Sequence, residues 1–236
     1  MRCVAIFPRQ FSATLLSAPG SAPQTDFGYT ISNMGKIKLT LPKALPYILT
    51  IGGLIGVYCA FILSQDKVRL LENPNLKLSC SLDPVLACGS VITSNQGHAF
   101  GFPNPFLGLA GFAAVATIGV TIFAGAKFKR WFWLAMEAGL VFALGFVHWL
   151  FFQSVYSIGN LCIYCMVVWV VTITSFWYVT LYNIDNKYIK LPRGRTQSVY
   201  GWIRKHHLDL LVLWFLIIAA LILNHFWYYY GRYFGA

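Results

Sequence analysis

Residues 44–65 read ALPYILTIGGLIGVYCAFILSQ, an uncharged run that is bounded by Lys43 and Asp66. The hydrocarbon core of a bilayer is about 30 Å thick, and about 20 mostly apolar helical residues cross it. The run has the length and the composition that such a crossing needs. It therefore predicts a helix that spans a membrane once.

The composition of the 236-residue chain favours the same class of protein. Hydrophobic residues make up 58% of it and charged residues 11%, and the mean hydropathy is +0.63. A soluble globular domain carries about 25% charged residues. We therefore expect an integral membrane protein rather than a soluble domain.

Two longer uncharged stretches, 84–126 and 138–184, exceed the length of one membrane helix. Gly and Pro in NQGHAFGFPNP at 95–105 interrupt the first stretch, and SVYSIGN at 154–160 supplies a turn in the second. We predict an all-α membrane domain over residues 41–232. The spans are expected at about 44–65, 103–125, 131–153, 161–182 and 210–230, with a short helix outside the membrane at 84–95.

The distribution of cations predicts the orientation of these spans, because Lys and Arg are retained on the cytoplasmic side. With the N-terminus inside, 14 of the 18 Lys and Arg residues fall in cytoplasmic segments and four fall outside. Topology and attraction to anionic membrane lipid account for the net charge of +11. No nucleic-acid-binding module is visible in the sequence, so we expect no nucleic acid partner.

Residues 1–40 do not follow the pattern of the remaining chain. They contain no long apolar core, and Pro8, Pro19 and Pro23 fall within them, so they would serve poorly as a secretory signal. We predict a disordered tail. An organelle transit peptide and a translation start at Met34 are both open interpretations.

The predicted topology places four of the six cysteines on the non-cytoplasmic face. Of these, Cys162 and Cys165 open the fourth span in GNLCIYC at 159–165. Their i, i+3 spacing puts both sulfurs on one helix face. With Asn160 as the N-cap, Cys162 would lie in the first turn, where the helix dipole favours a thiolate, and Cys165 one turn deeper. A redox pair, a structural disulfide and half of a zinc site all fit this motif.

The other outside cysteines, Cys80 and Cys88, lie in LSCSLDPVLACGS at 78–90. Asp83 followed by Pro84 is a helix-start signal, so we expect Cys88 on a short helix and Cys80 on the preceding loop. Because seven residues separate the two thiols, we predict a mobile segment between them. Zinc sites use tighter ligand pairs, so we expect no metal.

The remaining two cysteines are expected to have no redox role. Cys3 is an incidental residue of the N-terminal tail, and Cys59 is a small buried hydrophobic residue of the first span.

Taken in chain order, these features resemble the vitamin K epoxide reductase family. The features are the Cys80-x7-Cys88 pair, Ser94 six residues on, GFPNPFLGLAGF at 101–112 opening a span, and C-x-x-C opening the span after next. The resemblance covers about residues 44–230. It looks like the bacterial branch, which implies the bacterial inner (cell) membrane and an active site that faces the periplasm or exterior.

The resemblance implies a four-helix bundle around a quinone, which could be menaquinone, ubiquinone or phylloquinone. Cys162 and Cys165 would be the active-site pair, with Cys165 facing the quinone. Cys80 would meet a thioredoxin-fold partner on the non-cytoplasmic side, and Cys88 would resolve the mixed disulfide. Because bacterial relatives often carry a fused thioredoxin-like domain after the fifth span, and this sequence does not, the partner is expected to be a separate protein.

Three further residues are expected near the quinone by the same resemblance. Ser94 falls where the family has Ser or Thr near the end of the loop. Asn104 falls where an amide can hydrogen-bond a quinone carbonyl, and Trp169 stands where eukaryotic relatives have a quinone-site Tyr.

Two ionisable residues of the third span have two interpretations each. His148 lies close in depth to Cys162, and it could bond either a quinone oxygen or a backbone carbonyl. Glu137, near the cytoplasmic end, is expected to pair with neighbouring cations or to snorkel.

The sequence thus leaves three functions open. The leading hypothesis is a membrane thiol:quinone oxidoreductase that supports disulfide formation in exported proteins. The second is a quinone or quinone-epoxide reductase that uses partner thiols as reductant. The third is a membrane scaffold without enzyme activity, whose outer loops are joined by disulfides.

Overall fold

The structure is a computed structural model that describes residues 41–231 except 77, 79, 82, 191 and 193. Within that range the regular structure is helical apart from one isolated β-bridge, which confirms the predicted all-α class. The expectations for residues 1–40, including Cys3, concern a segment outside the described residues.

Eight α-helices follow one another along the described part of the chain. They are α1 (Leu41–Glu72), α2 (Cys88–Thr93), α3 (Asn104–Phe123), α4 (Arg130–Phe152), α5 (Ile163–Asp185), α6 (Arg195–Lys205), α7 (His207–His225) and α8 (Trp227–Tyr230). A 3₁₀ turn at Asn95–His98 follows α2, and a π-helical segment at Gln153–Ile158 continues α4. Helices α1, α3, α4, α5 and α7 are long and apolar enough to cross a membrane, which confirms the five predicted spans.

Helix α1 is longer than the span predicted from its uncharged run. It has 32 residues, about 48 Å at 1.5 Å per residue, and it continues past residue 65 to Glu72. The apolar spacing of Leu63 and Leu70 continues through this charged extension, and both side chains are buried. Packing of this face therefore keeps the chain helical beyond the uncharged run.

Small residues bring α1 and α3 into close contact. A Cβ atom on Gly53 would lie 2.6 Å from the backbone nitrogen of Ala116, and one on Gly119 would lie 2.6 Å from the backbone nitrogen of Thr50. Membrane helices pack closely where small residues face each other. These two helices therefore form a tight pair.

The remaining spans add to this pair in a defined order. Helix α5 packs against α1, and α4 packs against α5, whereas α3 and α4 hardly touch each other. Helix α7 lies on the outer side of α5, where the Trp177 indole donates a hydrogen bond to the carbonyl of His207. The bundle is thus formed by α1, α3, α4 and α5, with a gap between α3 and α4.

The structure corrects the expectation for Glu137. Its carboxylate is buried between α4 and α5, where it accepts hydrogen bonds from Thr180 (2.6 Å) and from the side-chain nitrogen of Asn183 (2.9 Å). Arg130, an expected partner, instead donates to the carbonyl of Tyr188 (2.8 Å). The packing of α4 on α5 replaces ion pairing by neutral donors.

Candidate redox site

The structure brings the four predicted cysteines together at one end of the bundle. Cys80, Cys88 and Cys162 are buried in one apolar cluster, and Cys165 packs against it. Leucine and isoleucine side chains from α1, the loop and α2 complete the cluster: Leu63, Leu70, Leu78 and Ile92. Two sulfur pairs from distant parts of the sequence therefore share one packed environment.

Cys80 and Cys88 form a disulfide whose Cα atoms are 5.8 Å apart, and Cys162 and Cys165 are free thiols. The exposed fractions of Cys80 and Cys88 are 5% and 0%. The pair predicted to be joined by a mobile segment is thus bonded and enclosed. The Cys80 sulfur becomes accessible only when the chain around it moves away.

The predicted helix at 84–95 is shorter than expected. Helix α2 begins at Cys88, with Ala87 in an extended conformation before it, and Asp83 and Pro84 lie in a bend. The reason is a backbone pairing outside this segment. Leu86 forms a parallel β-bridge with Leu161, which holds the chain extended where the local signal favours a helix.

Three hydrogen bonds hold the loop against the start of α5. Leu161 donates its N–H to the carbonyl of Val85 (2.8 Å), and Ala87 donates its N–H to the carbonyl of Leu161 (3.0 Å). The side chain of Asn160 donates to the carbonyl of Pro84 (2.7 Å). Cys88 and Cys162 follow directly after these paired residues, so the pairing holds the two redox pairs side by side.

The start of α5 also differs from the prediction. Cys162 itself occupies the N-cap position, with φ −113° and ψ 121°, because the side chain of Asn160 is bound to the loop. Cys165 therefore lies in the first turn. The thiol of Cys165 donates a hydrogen bond to the sulfur of Cys162, and the backbone N–H groups of Cys165 and Tyr164 add to it, which lowers the pKa of Cys162 below its ordinary value.

This lowered pKa assigns different chemical roles to the two thiols. Burial and the negative charge of Asp66 oppose the ionisation of Cys162, but the three donors outweigh them. Of the two inner thiols, Cys162 is thus the one that ionises more readily, and Cys165 is its hydrogen-bond donor. A thiolate is the species that attacks a disulfide.

A cavity of about 580 Å³ lies beside this pair, between α3, α4, α5 and the C-terminal half of α1. Cys165 lies in its wall, whereas Cys162 is fully buried behind it. Most of the wall is apolar, and it includes a group of aromatic side chains: Phe112, Trp131, Phe132, Phe142, Phe146 and Trp169. An apolar, aromatic-lined space next to a thiol fits the ring and chain of a quinone.

Ser94 and Asn104 lie on this wall, and both hold the neighbouring backbone. The hydroxyl of Ser94 accepts from the N–H of Gly97 (3.2 Å), at the start of the 3₁₀ turn. The amide of Asn104 donates to the carbonyl of Gln96 (2.6 Å) and accepts from the N–H of Ala99 (3.1 Å). The Asn104 nitrogen carries two hydrogens, and one hydrogen bond from it is seen among the described residues.

Trp169 and His148 differ in their relation to the cavity. Trp169 lies on its wall, with its ring edge-on to Phe151 at 5.4 Å. One ring nitrogen of His148 is 2.8 Å from the carbonyl of Leu144 on its own helix, and the other accepts a hydrogen bond from Trp214 on α7 (3.2 Å). Of the two interpretations of His148, the structure shows the backbone-bonded one.

Two residues of the site lie beyond the predicted end of the first span and were missed. Lys67 lies on the cavity wall and donates to the carbonyl of Ile92 (3.1 Å). Asp66 is buried next to it. The continued spacing of Leu63 and Leu70 could have shown that α1 extends this far. Among the described residues, no group of three or more His, Cys, Asp or Glu side chains is arranged to hold a metal ion.

Comparison with known proteins adds one match. A family model described as "Vitamin K epoxide reductase family" matches residues 47–180, which is more than half of the chain. The matched range contains both cysteine pairs and the residues of the cavity wall. A search of curated proteins found no match.

Proposed function

The chain belongs to the vitamin K epoxide reductase family, and we propose that it oxidises a thioredoxin-fold protein and passes the electrons to a membrane quinone. Family membership gives the general activity, which is quinone-linked disulfide redox chemistry in a membrane. The observation that supports electron transfer from a thiol partner to a quinone is the spatial order of the four sulfurs. The Cys80–Cys88 disulfide packs against Cys162, whose partner Cys165 lines the apolar cavity.

The first step would take place at Cys80. A thiolate of the partner attacks the Cys80 sulfur of the loop disulfide, and Cys88 leaves as the thiolate. The second thiol of the partner then breaks the mixed disulfide. The partner leaves oxidised, and Cys80 and Cys88 are both reduced.

The second step passes the electron pair inward. The Cys88 sulfur attacks the Cys162 sulfur of a Cys162–Cys165 disulfide, and Cys80 then attacks Cys88 to release Cys162. The loop disulfide is restored and the inner pair carries two thiols. This is the redox state of the structure.

The third step takes place at the cavity. A quinone bound in the cavity would accept the two electrons. Cys165 delivers electrons from the wall, and bond formation between Cys162 and Cys165 completes the oxidation. The two thiol protons balance the reaction. Asn104 would orient the acceptor through its remaining N–H, and Trp169 would lie against its ring.

We place this activity in a bacterial inner membrane, with the cysteines facing the periplasm or exterior. The proposed result is disulfide formation in exported proteins. A disulfide-joined scaffold does not explain why two free thiols lie beside an apolar cavity. An epoxide-reducing relative would use the same sulfurs and would differ in the molecule that binds in the cavity.

Trapping of the thiol state in membranes tests the proposal. Cells are depleted of quinone, the thiols are tagged with a mass-shifting alkylating reagent, and each cysteine is mapped. We expect Cys162 and Cys165 to become fully reduced and Cys80 and Cys88 to follow, while Cys59 stays a thiol in both conditions. Unchanged tagging of all four relay cysteines after quinone depletion would refute the proposal. An acceptor assay with a quinone and a quinone epoxide then identifies which of the two is reduced.

A further inference from the structure

A buried carboxylate on α1 lies beside the cysteine cluster without a role in the steps above. Asp66 is 5% exposed, and its Oδ2 atom has no hydrogen-bond partner among the described residues. Its Oδ1 atom is 4.0 Å from the guanidinium of Arg69, whose side chain is 61% exposed. A carboxylate that is buried with an unsatisfied oxygen is costly, so its position requires a functional explanation.

The geometry of α1 directs Asp66 towards the sulfurs. Leu63, Asp66 and Leu70 are separated by three and four residues, so they share one face of the helix. Leu63 and Leu70 both pack in the cluster that contains Cys80, Cys88 and Cys162. Asp66 lies between them on that face. Among the residues that the structure describes, the ionisable groups that interact with it are Arg69 on its own helix and Cys162 and Tyr164 on α5.

The proposed relay creates a need for such a group. The transfer from the loop pair to the inner pair releases two protons, from Cys88 and Cys80, and two are taken up, by Cys165 and Cys162. Cys88 and Cys162 are fully buried, so bulk water does not reach them. A proton must therefore pass between sulfurs inside the protein.

We propose that Asp66 is the proton carrier of the relay, which accepts the proton of the attacking loop thiol and returns it to the Cys162 sulfur when that sulfur is released. This inference rests on the proposed function and adds no reactant to it. The two S–S bonds exchange, the electron pair moves inward, and the protons balance within the chain. In the described part of the chain, the cation nearest to this carboxylate is Arg69, 4.0 Å from its Oδ1 atom.

The test measures the internal transfer without quinone. Full-length protein in lipid nanodiscs, with both pairs oxidised, is mixed with dithiothreitol and quenched with acid at increasing times. Sequential alkylation with two mass tags then gives the redox state of each pair. Wild type is compared with Asp66→Asn, with Asp66→Glu, and with Glu72→Gln, which removes an exposed carboxylate from the same helix.

We expect Asp66→Asn to slow the internal transfer by about 100-fold at neutral pH, which is the size of a general acid–base contribution. The difference should vanish at strongly alkaline pH, where the thiols ionise without a base. Asp66→Glu should keep the wild-type pH profile, and Glu72→Gln should match wild type throughout. An equal slowing at every pH would show a structural role and overturn the proposal. Faster transfer in Asp66→Asn would overturn it as well, because the charge would then only oppose the thiolate of Cys162.

A second measurement uses the wild-type protein, should Asp66→Asn fail to fold. Infrared difference spectra during transfer, with carbon-labelled aspartate, should show a transient band of a protonated aspartic acid, and its absence would overturn the proposal. Normal internal transfer without quinone reduction would refute the proposed function and leave the role of Asp66 standing. If wild type reduces quinone and Asp66→Asn transfers electrons between the pairs at the wild-type rate, the role of Asp66 would be refuted and the proposed function would remain. No transfer between the pairs in wild type would refute both.

Discussion

Leu86 and Leu161 form an isolated parallel β-bridge between the loop that follows α1 and the start of α5. Hydrogen bonds of 2.8 and 3.0 Å flank it. One residue after Leu161 comes Cys162, and two residues after Leu86 comes Cys88. The relative position of two redox pairs that are far apart in the sequence is thus set by backbone pairing.

The side chain of Asn160 supports this pairing, and its loss should slow the relay. Asn160→Ala removes the 2.7 Å hydrogen bond to the carbonyl of Pro84, which we expect to cost about 1 kcal/mol of stability. The transfer from the loop pair to Cys162 should become slower, as measured by quenched-flow alkylation. Asn186→Ala is the matched control, since among the described residues the Asn186 amide donates to the carbonyl of Tyr182 alone, at the other end of α5. Equal transfer rates in the two variants would contradict this role.

Replacing each of the two inner cysteines should produce a different defect. In Cys165→Ala, we expect quinone reduction to stop and a Cys88–Cys162 mixed disulfide to accumulate, because Cys162 remains beside the loop. In Cys162→Ala, no such mixed disulfide should form. Stopped-flow absorbance of a short-chain quinone and non-reducing peptide mapping measure the two results. Cys59→Ala is the control, and normal turnover in Cys165→Ala would contradict the assignment.

The pKa of Cys162 should depend on a donor at position 165. The largest cause of its lowering is the hydrogen bond from the Cys165 thiol. Cys165→Ala removes this donor, so the pKa should rise and the thiolate should form at higher pH. Cys165→Ser keeps a hydroxyl donor and should keep the pKa lower than in the alanine variant. Thiolate ultraviolet absorbance of the reduced protein, in a Cys59→Ala background, measures the midpoints, and identical midpoints would contradict the expectation.

Filling the cavity should block the quinone step alone. Gly139 lies on the cavity wall, and a Cβ atom there meets no heavy atom within 4 Å. Gly139→Leu should lower quinone reduction by roughly tenfold or more through lost apolar volume, with the internal transfer unchanged. Gly145→Leu is the control, because Gly145 is on the same helix with equally open surroundings but outside the set of wall residues. Equal activities of the two variants would argue against this cavity as the quinone site.

The tight contact between α1 and α3 should tolerate no added methyl group. In Gly53→Ala, the new Cβ would lie 2.6 Å from the backbone of Ala116, so we expect a loss of about 1–3 kcal/mol. Gly111→Ala on α3 places its Cβ in open space and should be nearly neutral. Unfolding of the two variants in mixed micelles compares these stabilities. A neutral Gly53→Ala would show that the two helices adjust freely.

Much of this fold was predictable from the sequence, because a helix that crosses a bilayer must be long and apolar. A membrane helix needs about 20 apolar residues, so the spacing of charges located all five spans. The meeting of the four cysteines followed from that topology. The end of α1 was not predicted, since beyond Asp66 the helix is held by Leu63 and Leu70 packing on the loop rather than by the membrane.

The details of the site depend on long-range contacts that local signals do not contain. Asp83 and Pro84 favour a helix start, but the bridge between Leu86 and Leu161 keeps the chain extended. Asn160 is a good N-cap residue, yet its side chain is bound to the loop and Cys162 takes that position. In both cases a partner about 75 positions away in the chain overrides the local preference.

The gap between α3 and α4 has a consequence for how substrate and product are exchanged. The cavity wall follows both helices along most of their length, and the two hardly touch. A hydrophobic molecule would then enter sideways from one leaflet, and its isoprenoid tail could remain among the acyl chains. Turnover should consequently scale with the mole fraction of quinone in the lipid, not with its amount per volume of buffer, and should vary little with tail length.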